Sequence, residues 1–159
     1  MKSIRQKILE TLQEALSGIR QDNGFKTDIG TRIVLAEGKR TLEELPALWL
    51  TPGKEECEST VYGEDSLTLS VTLRAGVRCV PEPDAAVQEA TLAQTAENLL
   101  ADLRMGLALF SGLSEDADDI LYISGGVEDW PDWAGGETAL TLSVEAQIRY
   151  STARNNPYG

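Results

Sequence analysis

The sequence contains no histidine. Histidine is the commonest general base near neutral pH and the commonest transition-metal ligand. Its absence therefore removes the usual side chain for general base catalysis and for binding transition metals. A nucleophile such as Ser59, Ser66 or Ser111 would also lack the base that normally activates it. We therefore predict that the protein is not an enzyme, and we expect no catalytic residue, no metal ligand and no cofactor.

Cysteine and long hydrophobic runs are scarce as well. The two cysteines, Cys57 and Cys79, allow one disulfide but not a disulfide framework. Cys79 falls in phase with the apolar face of its strand, which favours a buried free thiol. No run of about 18 apolar residues predicts a membrane-spanning helix, and residues 1–7 lead into an amphipathic pattern rather than a signal core. We expect a soluble, cytoplasmic protein with no membrane partner.

Basic residues are few. The chain has 14 lysines and arginines against 26 acidic residues, a net charge of -12 and a pI near 4.4. Nucleic-acid-binding domains collect phosphates on basic patches, so tight non-specific DNA binding is not expected. The 159 residues and the hydrophobic content of 42% are enough for one domain with a proper core and short for two.

Two helical and five extended patterns follow one another along the chain. The predicted elements are a helix over 3–21, strands over 31–35, 47–51 and 67–79, a helix over 84–109, and strands over 120–124 and 139–150. Gly76 is a candidate bulge in its strand, and a polar linker covers 37–45. Because the strands cluster instead of alternating with helices, we predict an α+β fold with a mainly antiparallel mixed sheet and two helices packed on one face.

The last strand has the clearest pattern. Apolar and polar residues alternate strictly from Ala139 to Tyr150, which predicts one buried face and one wet face. The polar residues 151–159 then have little to bury by themselves, and such tails usually fray unless they dock on something else. We therefore predict a single domain over 1–150 and an extended C-terminal arm over 151–159.

Two segments are candidates for contact with partners. The charged, weakly patterned residues 52–65 predict a long exposed loop, and loops of this length are often functional. The loop's candidate docking or lumen residues are Lys54, Glu55, Glu56, Glu58 and Tyr62. In a second, glycine-bounded loop over 125–136, Trp130 and Trp133 serve either as interface anchors or as core residues, with equal weight on the two interpretations.

Carboxylates are numerous but show no catalytic spacing. The acidic run 115–119 lacks the glycine and the distal glutamate of a calcium loop, so a solvated turn is favoured. A small hydrolase that uses paired carboxylates is one alternative function. No pair is singled out among the 26 acidic residues, which weighs against it.

Four stretches resemble one known family. They are residues 4–9, with the sequence IRQKIL; residues 22–30, DNGFKTDIG, followed by Arg32 and Ile33; residues 45–48, LPAL; and the closing strand with Tyr150 and the NPY of 156–158. In order and spacing the chain resembles the tail terminator (tail completion) proteins of tailed bacteriophages, the group that includes the lambda minor tail protein U. Each motif is short and structural, and none is catalytic.

The resemblance implies an α+β subunit of a homohexameric ring in the virion neck. Such a ring caps the finished tail tube, ends its growth and joins the tail to the head connector or completion protein, while DNA passes through the lumen without specific binding. Its implied partners are other copies of itself, the tail tube protein and the head connector, with the tail sheath as a further candidate. It would be assembled in the cytoplasm of the bacterial host.

Within such a ring, a polar sheet face and a free arm can pack against neighbouring subunits. The candidate interface residues are Trp130, Trp133, Arg74, Arg149, Arg154 and Tyr158. The excess negative charge fits a lumen that passes DNA without holding it. Another ring protein of the same neck, a head-completion or adaptor protein, is the main alternative.

Overall fold

The computed structural model describes residues 1–35, 45–136 and 138–159. The elements are α1 (Ile4–Ser17), β1 (Ile33–Val34), β2 (Ala47–Val61), β3 (Glu64–Arg78), α2 (Ala85–Leu113), β4 (Ala117–Asp129) and β5 (Ala139–Ala153), with short 3-10 turns at Gln21–Asn23 and Ile29–Thr31. Among the described residues the strands form one sheet in the order β1-β2-β3-β5-β4. The β1–β2 pair is parallel and the other pairs are antiparallel, so the predicted α+β class with a mainly antiparallel mixed sheet is confirmed.

Both helices lie on the same face of the sheet. The alternation in β5 places Leu142, Val144 and Ile148 on the face that the helices cover, together with Leu69 and Leu73 of β3. Buried residues of α1 and α2 join the same apolar cluster, because each helix repeats apolar residues at helical spacing along one side. Neither α1 nor α2 covers the opposite face of the sheet.

The helix boundaries follow their caps. The Ser3 hydroxyl accepts a hydrogen bond from the Gln6 amide at 3.1 Å and starts α1, while the Asp84 carboxylate accepts from the amides at 86 and 87 and starts α2. The first helix ends at Ser17, four residues before the predicted end, and the chain continues into a 3-10 turn closed by Gly24 with φ of 87°. The second helix runs four residues past the predicted end, to Leu113.

The predicted loop over 52–65 is wrong. Strand β2 continues from Ala47 to Val61 and pairs with β3 down to Val61 and Glu64, so a long β-hairpin replaces the loop. The part beyond Pro52 carries no apolar alternation because both of its faces meet solvent. Shifts in register at 52–55 and 57–59 weaken the pattern further.

Strand β4 is also longer than predicted. It runs from Ala117 to Asp129, where the sequence suggested only 120–124, and so takes in part of the acidic turn and the start of the glycine-bounded loop. Strand β4 is an edge strand, and backbone pairing with β5 holds it in place. It therefore lacks a continuous apolar face by which the sequence could have predicted its full length. Its Gly125 packs closely, since an added Cβ would lie 2.8 Å from Cδ1 of Leu100.

At other positions the structure corrects smaller predictions. Gly76 is not a bulge, because it pairs in regular register with Ala47 and Thr141. Its missing side chain instead leaves room for Leu45, whose Cδ2 would lie 2.9 Å from an added Cβ. Strand β1 is shorter than predicted, and residues 37–44 of the predicted linker lie outside the described residues. Both cysteines are free thiols, Cys57 exposed and Cys79 half-buried.

The C-terminal residues do not form an extended arm. Strand β5 runs on to Ala153, and the chain then reverses at Asn155, which has φ of 55°. The Ala153 amide donates to the Gly159 carbonyl at 2.7 Å, and the Ile4 amide donates to the Pro157 carbonyl at 2.8 Å. The tail therefore folds back on its own domain, because backbone groups at the ends of β5 and α1 supply its hydrogen bonds.

Candidate functional site

The outer hairpin, residues 53–66, holds the residues that the sequence placed in a docking loop. They are spread along a strand and point to different sides of it. The Arg5 guanidinium of α1 lies 3.3 Å from the Glu55 carboxylate, so Glu55 faces the helices. Glu58 accepts a hydrogen bond of 2.7 Å from the hydroxyl of Thr68, and Lys54 forms an exposed ion pair of 2.8 Å with Glu56. These groups do not converge on one site.

The tip of the outer hairpin is a two-residue turn. Tyr62 and Gly63 have φ of 54° and 79°, so both lie in the left-handed region, as a type I′ turn requires. Glycine and asparagine adopt this conformation readily, whereas a bulky residue there is an outlier. The Tyr62 side chain is fully exposed. The tip therefore presents an aromatic ring to solvent from a strained backbone.

The tail holds this tip in place. The Arg154 amide donates to the Gly63 carbonyl at 2.8 Å, and the Asp65 carboxylate accepts from the Asn155 amide at 3.0 Å and from the Thr60 hydroxyl at 2.7 Å. These hydrogen bonds favour the ionised carboxylate and therefore lower the pKa of Asp65. The Asn155 amide has the larger effect on this pKa, and the Thr60 hydroxyl has the smaller one. These hydrogen bonds connect the outer hairpin to the tail.

Two of the predicted interface residues and one of the predicted docking residues lie at this end of the sheet, which we call the hairpin end. They are Tyr62 at the tip, exposed Arg154 beside it, and Tyr158 of the tail, which is 49% exposed. The sequence separates Tyr62 from the other two by about ninety residues. The antiparallel register that pairs Glu64 with Ala153 brings them together.

The two tryptophans lie at the opposite end, which we call the tryptophan end. Trp130 follows β4 and is 50% exposed, so it is not a core residue of the described chain. Trp133 is half-buried in a turn, where its carbonyl accepts from the Gly136 amide at 3.2 Å. The β3–β5 register continues without a break from Glu64 to Arg78. At about 3.3 Å per residue, the two ends are about 45 Å apart.

The remaining two predicted interface residues lie at neither end. Arg74 is on the sheet face away from the helices, where its Nε lies 3.0 Å and its Nη2 3.3 Å from the two carboxylate oxygens of Glu128. Arg149 is exposed on the same face, between Thr68 of β3 and Asp119 of β4. Both arginines therefore belong to the open sheet face and not to the aromatic ends.

A cleft of about 310 Å³, which the sequence did not predict, lies between α1, the outer hairpin and the tail. Buried Tyr150 lines it, and Arg5 and Glu55 stand at its side. Burial raises the pKa of Tyr150, and the Glu55 carboxylate adds to the effect while Arg5 opposes it. The pattern assigned Tyr150 to the apolar face correctly, but the folded-back tail that completes the cleft was not foreseen.

Asp102 is the second residue that was missed. It is buried on α2, and its carboxylate accepts from the Thr27 amide and hydroxyl, each at 2.7 Å, and from the Lys26 amide at 3.1 Å. It thereby ties the chain after Gly24 to the helix. The available signal was an acidic residue in phase with Leu99, Leu103 and Gly106, on the side of the helix that faces the core.

Within residues 1–35, 45–136 and 138–159, no group of three or more histidine, cysteine, aspartate or glutamate side chains is placed to hold a metal ion. In the same ranges no helix has the length and apolar character needed to cross a membrane. Comparison of the chain with protein-family models and with curated proteins gave no match.

Proposed function

We propose that this chain is a structural subunit of the neck of a tailed bacteriophage, a tail terminator that forms a ring on the end of the tail tube. The observation that carries the proposal is the two-ended sheet. Exposed aromatic residues stand at both ends, about 45 Å apart along uninterrupted strands. A ring that joins a tube below to a connector above needs subunits with two separate contact surfaces. Tyrosine and tryptophan are the residues most enriched at the centres of such contacts.

The charge of the chain supports the same proposal. A net charge of -12 gives a ring of six copies a strongly negative surface. DNA phosphates are repelled by such a surface, so DNA passes through the lumen without being held. The partners of the ring are then further copies of this chain, the tail tube protein and the head connector, and its place is the virion neck.

Two alternatives remain weaker. Another neck ring, such as a head-completion or adaptor protein, would use the same two ends and differ only in its partners. A carboxylate-dependent hydrolase needs a general acid with a raised pKa. Asp65, which borders the cleft, has a lowered pKa instead, and Glu55 is engaged by Arg5. The cleft therefore does not favour hydrolysis.

Native mass measurements over a concentration series, with negative-stain images, test the proposal. We expect six-fold rings with a central hole, either in the free protein or on tubes assembled from a tail tube protein. A protein that stays monomeric and leaves tube ends uncapped would contradict it.

The tryptophan end gives a matched pair of variants. Trp130→Ala removes an exposed ring and should leave the thermal midpoint unchanged while weakening assembly, whereas a change at half-buried Trp133 should affect both. Normal assembly and normal melting of the double variant would rule out the tryptophan end as a contact.

A further inference from the structure

Asn23 and Gly24 form the one asparagine–glycine pair of the sequence, shortly after the end of α1. The other three asparagines precede leucine, asparagine or proline. In an asparagine–glycine pair the backbone nitrogen of the glycine can attack the side-chain amide carbon of the asparagine, because the glycine has no side chain to hinder the approach. Both residues are exposed, so water reaches the pair. This pair is therefore the position in the chain most open to loss of an asparagine amide.

The fold holds both reacting groups in hydrogen bonds. The Asn23 side-chain amide donates to the Gly18 carbonyl at 2.9 Å, and the Gly24 amide donates to the Gln21 carbonyl at 3.0 Å. The first bond keeps the asparagine side chain at the end of α1, and the second engages the proton that the attacking nitrogen must lose. The segment over residues 18–24, which we call the α1 turn, must therefore open before the reaction can occur.

A carboxylate outside the α1 turn helps to hold it closed. The Asp28 side chain accepts a hydrogen bond of 2.9 Å from the Gln21 amide, at the start of the 3-10 turn that contains Asn23. The Gln21 side chain also donates to the Lys26 carbonyl at 3.0 Å. Asp28 supplies no atom to the reaction, so it is a positioning residue for the α1 turn.

We propose that Asn23 is a site of spontaneous deamidation whose rate is set by opening of the α1 turn. The Gly24 nitrogen loses its proton and forms a bond to Cγ of Asn23, the Cγ–Nδ2 bond breaks, and the amide group leaves with a proton as ammonia. Water then opens the cyclic imide at one of its two carbonyls, which gives aspartate or isoaspartate at position 23. The only co-reactant is water.

Either product weakens the end of α1. A carboxylate at position 23 cannot donate to the Gly18 carbonyl, and it places negative charge at the carbonyl end of the helix, where the helix dipole disfavours it. Isoaspartate also adds one backbone atom ahead of buried Phe25. The chain just beyond is tied to α2 by the bond from the Thr27 amide to Asp102. We expect the modification to loosen this connection and to lower the urea midpoint.

Peptide mapping of the full-length protein tests the proposal. Trypsin releases residues 21–26 as one peptide, because Arg20 and Lys26 border it. The protein is kept folded in a mildly alkaline buffer, or unfolded in urea, and mass spectrometry follows the conversion over time. We expect conversion at Asn23 in both, slower in the folded protein by about 5- to 100-fold, because opening breaks two hydrogen bonds.

A variant at Asp28 separates the effect of the fold from the chemistry of the pair. Asp28→Ala removes the acceptor of the Gln21 amide and should raise the rate in the folded protein by about two- to tenfold, the effect of one lost hydrogen bond on the open fraction. In urea it should change nothing. The matched control Asp28→Asn keeps an oxygen acceptor and should stay near the parent rate.

A second control lies far along the sheet. Ile148→Val, at a buried position of β5, lowers the global stability and should leave the rate at Asn23 unchanged, because the α1 turn opens locally. An increase as large as that of Asp28→Ala would overturn the proposal. Equal rates in the folded and unfolded parent protein, no conversion at Asn23 in urea, or no increase with Asp28→Ala would overturn it too. If Asp28→Ala does not fold, the ratio of the two parent rates still decides.

Discussion

Replacing Tyr62 by asparagine should make the protein more stable. The left-handed conformation costs an ordinary L-residue about 1–2 kcal/mol, and asparagine is among the few residues that visit it routinely. The Tyr62 side chain is fully exposed, so its removal sacrifices no packing. We expect Tyr62→Asn to raise the free energy of unfolding by about 0.5–1 kcal/mol, a rise of about 1–4 °C in thermal midpoint for a domain of this size.

Thermal and urea unfolding measure the effect, and Tyr62→Ala is the control. Alanine removes the same ring but lacks the short polar side chain by which asparagine hydrogen-bonds locally in the left-handed conformation, so it should give little or no stabilisation. If Tyr62→Asn unfolds at the same temperature as the parent or below it, the strain assigned to this turn is wrong.

Three other predictions concern the domain that supports the hairpin end. Gly30→Ala should destabilise the fold by at least about 2 kcal/mol, because an added Cβ would collide with the Leu16 carbonyl. Gly112→Ala should stabilise the fold by about 0.5–1 kcal/mol, because the space around Gly112 in α2 is open. Equal unfolding midpoints for the two variants would contradict this prediction. Asp102→Ala leaves the backbone amides of Lys26 and Thr27 without their acceptor and should lower the free energy of unfolding in urea by about 1–3 kcal/mol. An unchanged free energy of unfolding would mean that water replaces the carboxylate. The lowered pKa of Asp65 means that its contribution to stability is present above the ordinary aspartate pKa of about 3.9 and is lost as the pH falls through the folded-state value. Asp65→Asn should therefore lower the midpoint at pH 7, and its difference from the parent protein should shrink as the pH falls through the folded-state pKa of Asp65. A difference in midpoint that stays constant as the pH falls would refute the linkage.

The sequence predicted the elements that bury one face and missed those that do not. Strand β5 was found because the core covers one of its faces, so that apolar and polar residues alternate from Ala139 onward. The outer part of β2 exposes both faces and β4 is an edge strand, so neither carries the alternation along its full length. Backbone pairing with a neighbouring strand, which leaves no mark on composition, holds both of them.

The candidate site was predicted as residues and not as an arrangement. Tyr62, Trp130 and Tyr158 were singled out, but their division between two ends depends on a register that spans ninety residues of sequence. The sequence did not predict the turn at the hairpin tip, because a tyrosine precedes Gly63 and the usual signal for such a turn is asparagine followed by glycine. The folded-back tail depends on backbone carbonyls, such as that of Pro157, which any residue provides.

The unbroken register between β3 and β5 also has a mechanical consequence. Fifteen consecutive residues of each strand are paired, with no bulge between them. We expect a sheet of this kind to bend little along its strands, so that the hairpin end and the tryptophan end move together as one rigid body. Displacement of the tryptophan end by one partner would tilt the hairpin end in step with it. In a closed ring of such subunits, binding of a partner at one end would reorient the surface at the other end without any change in the fold of a subunit.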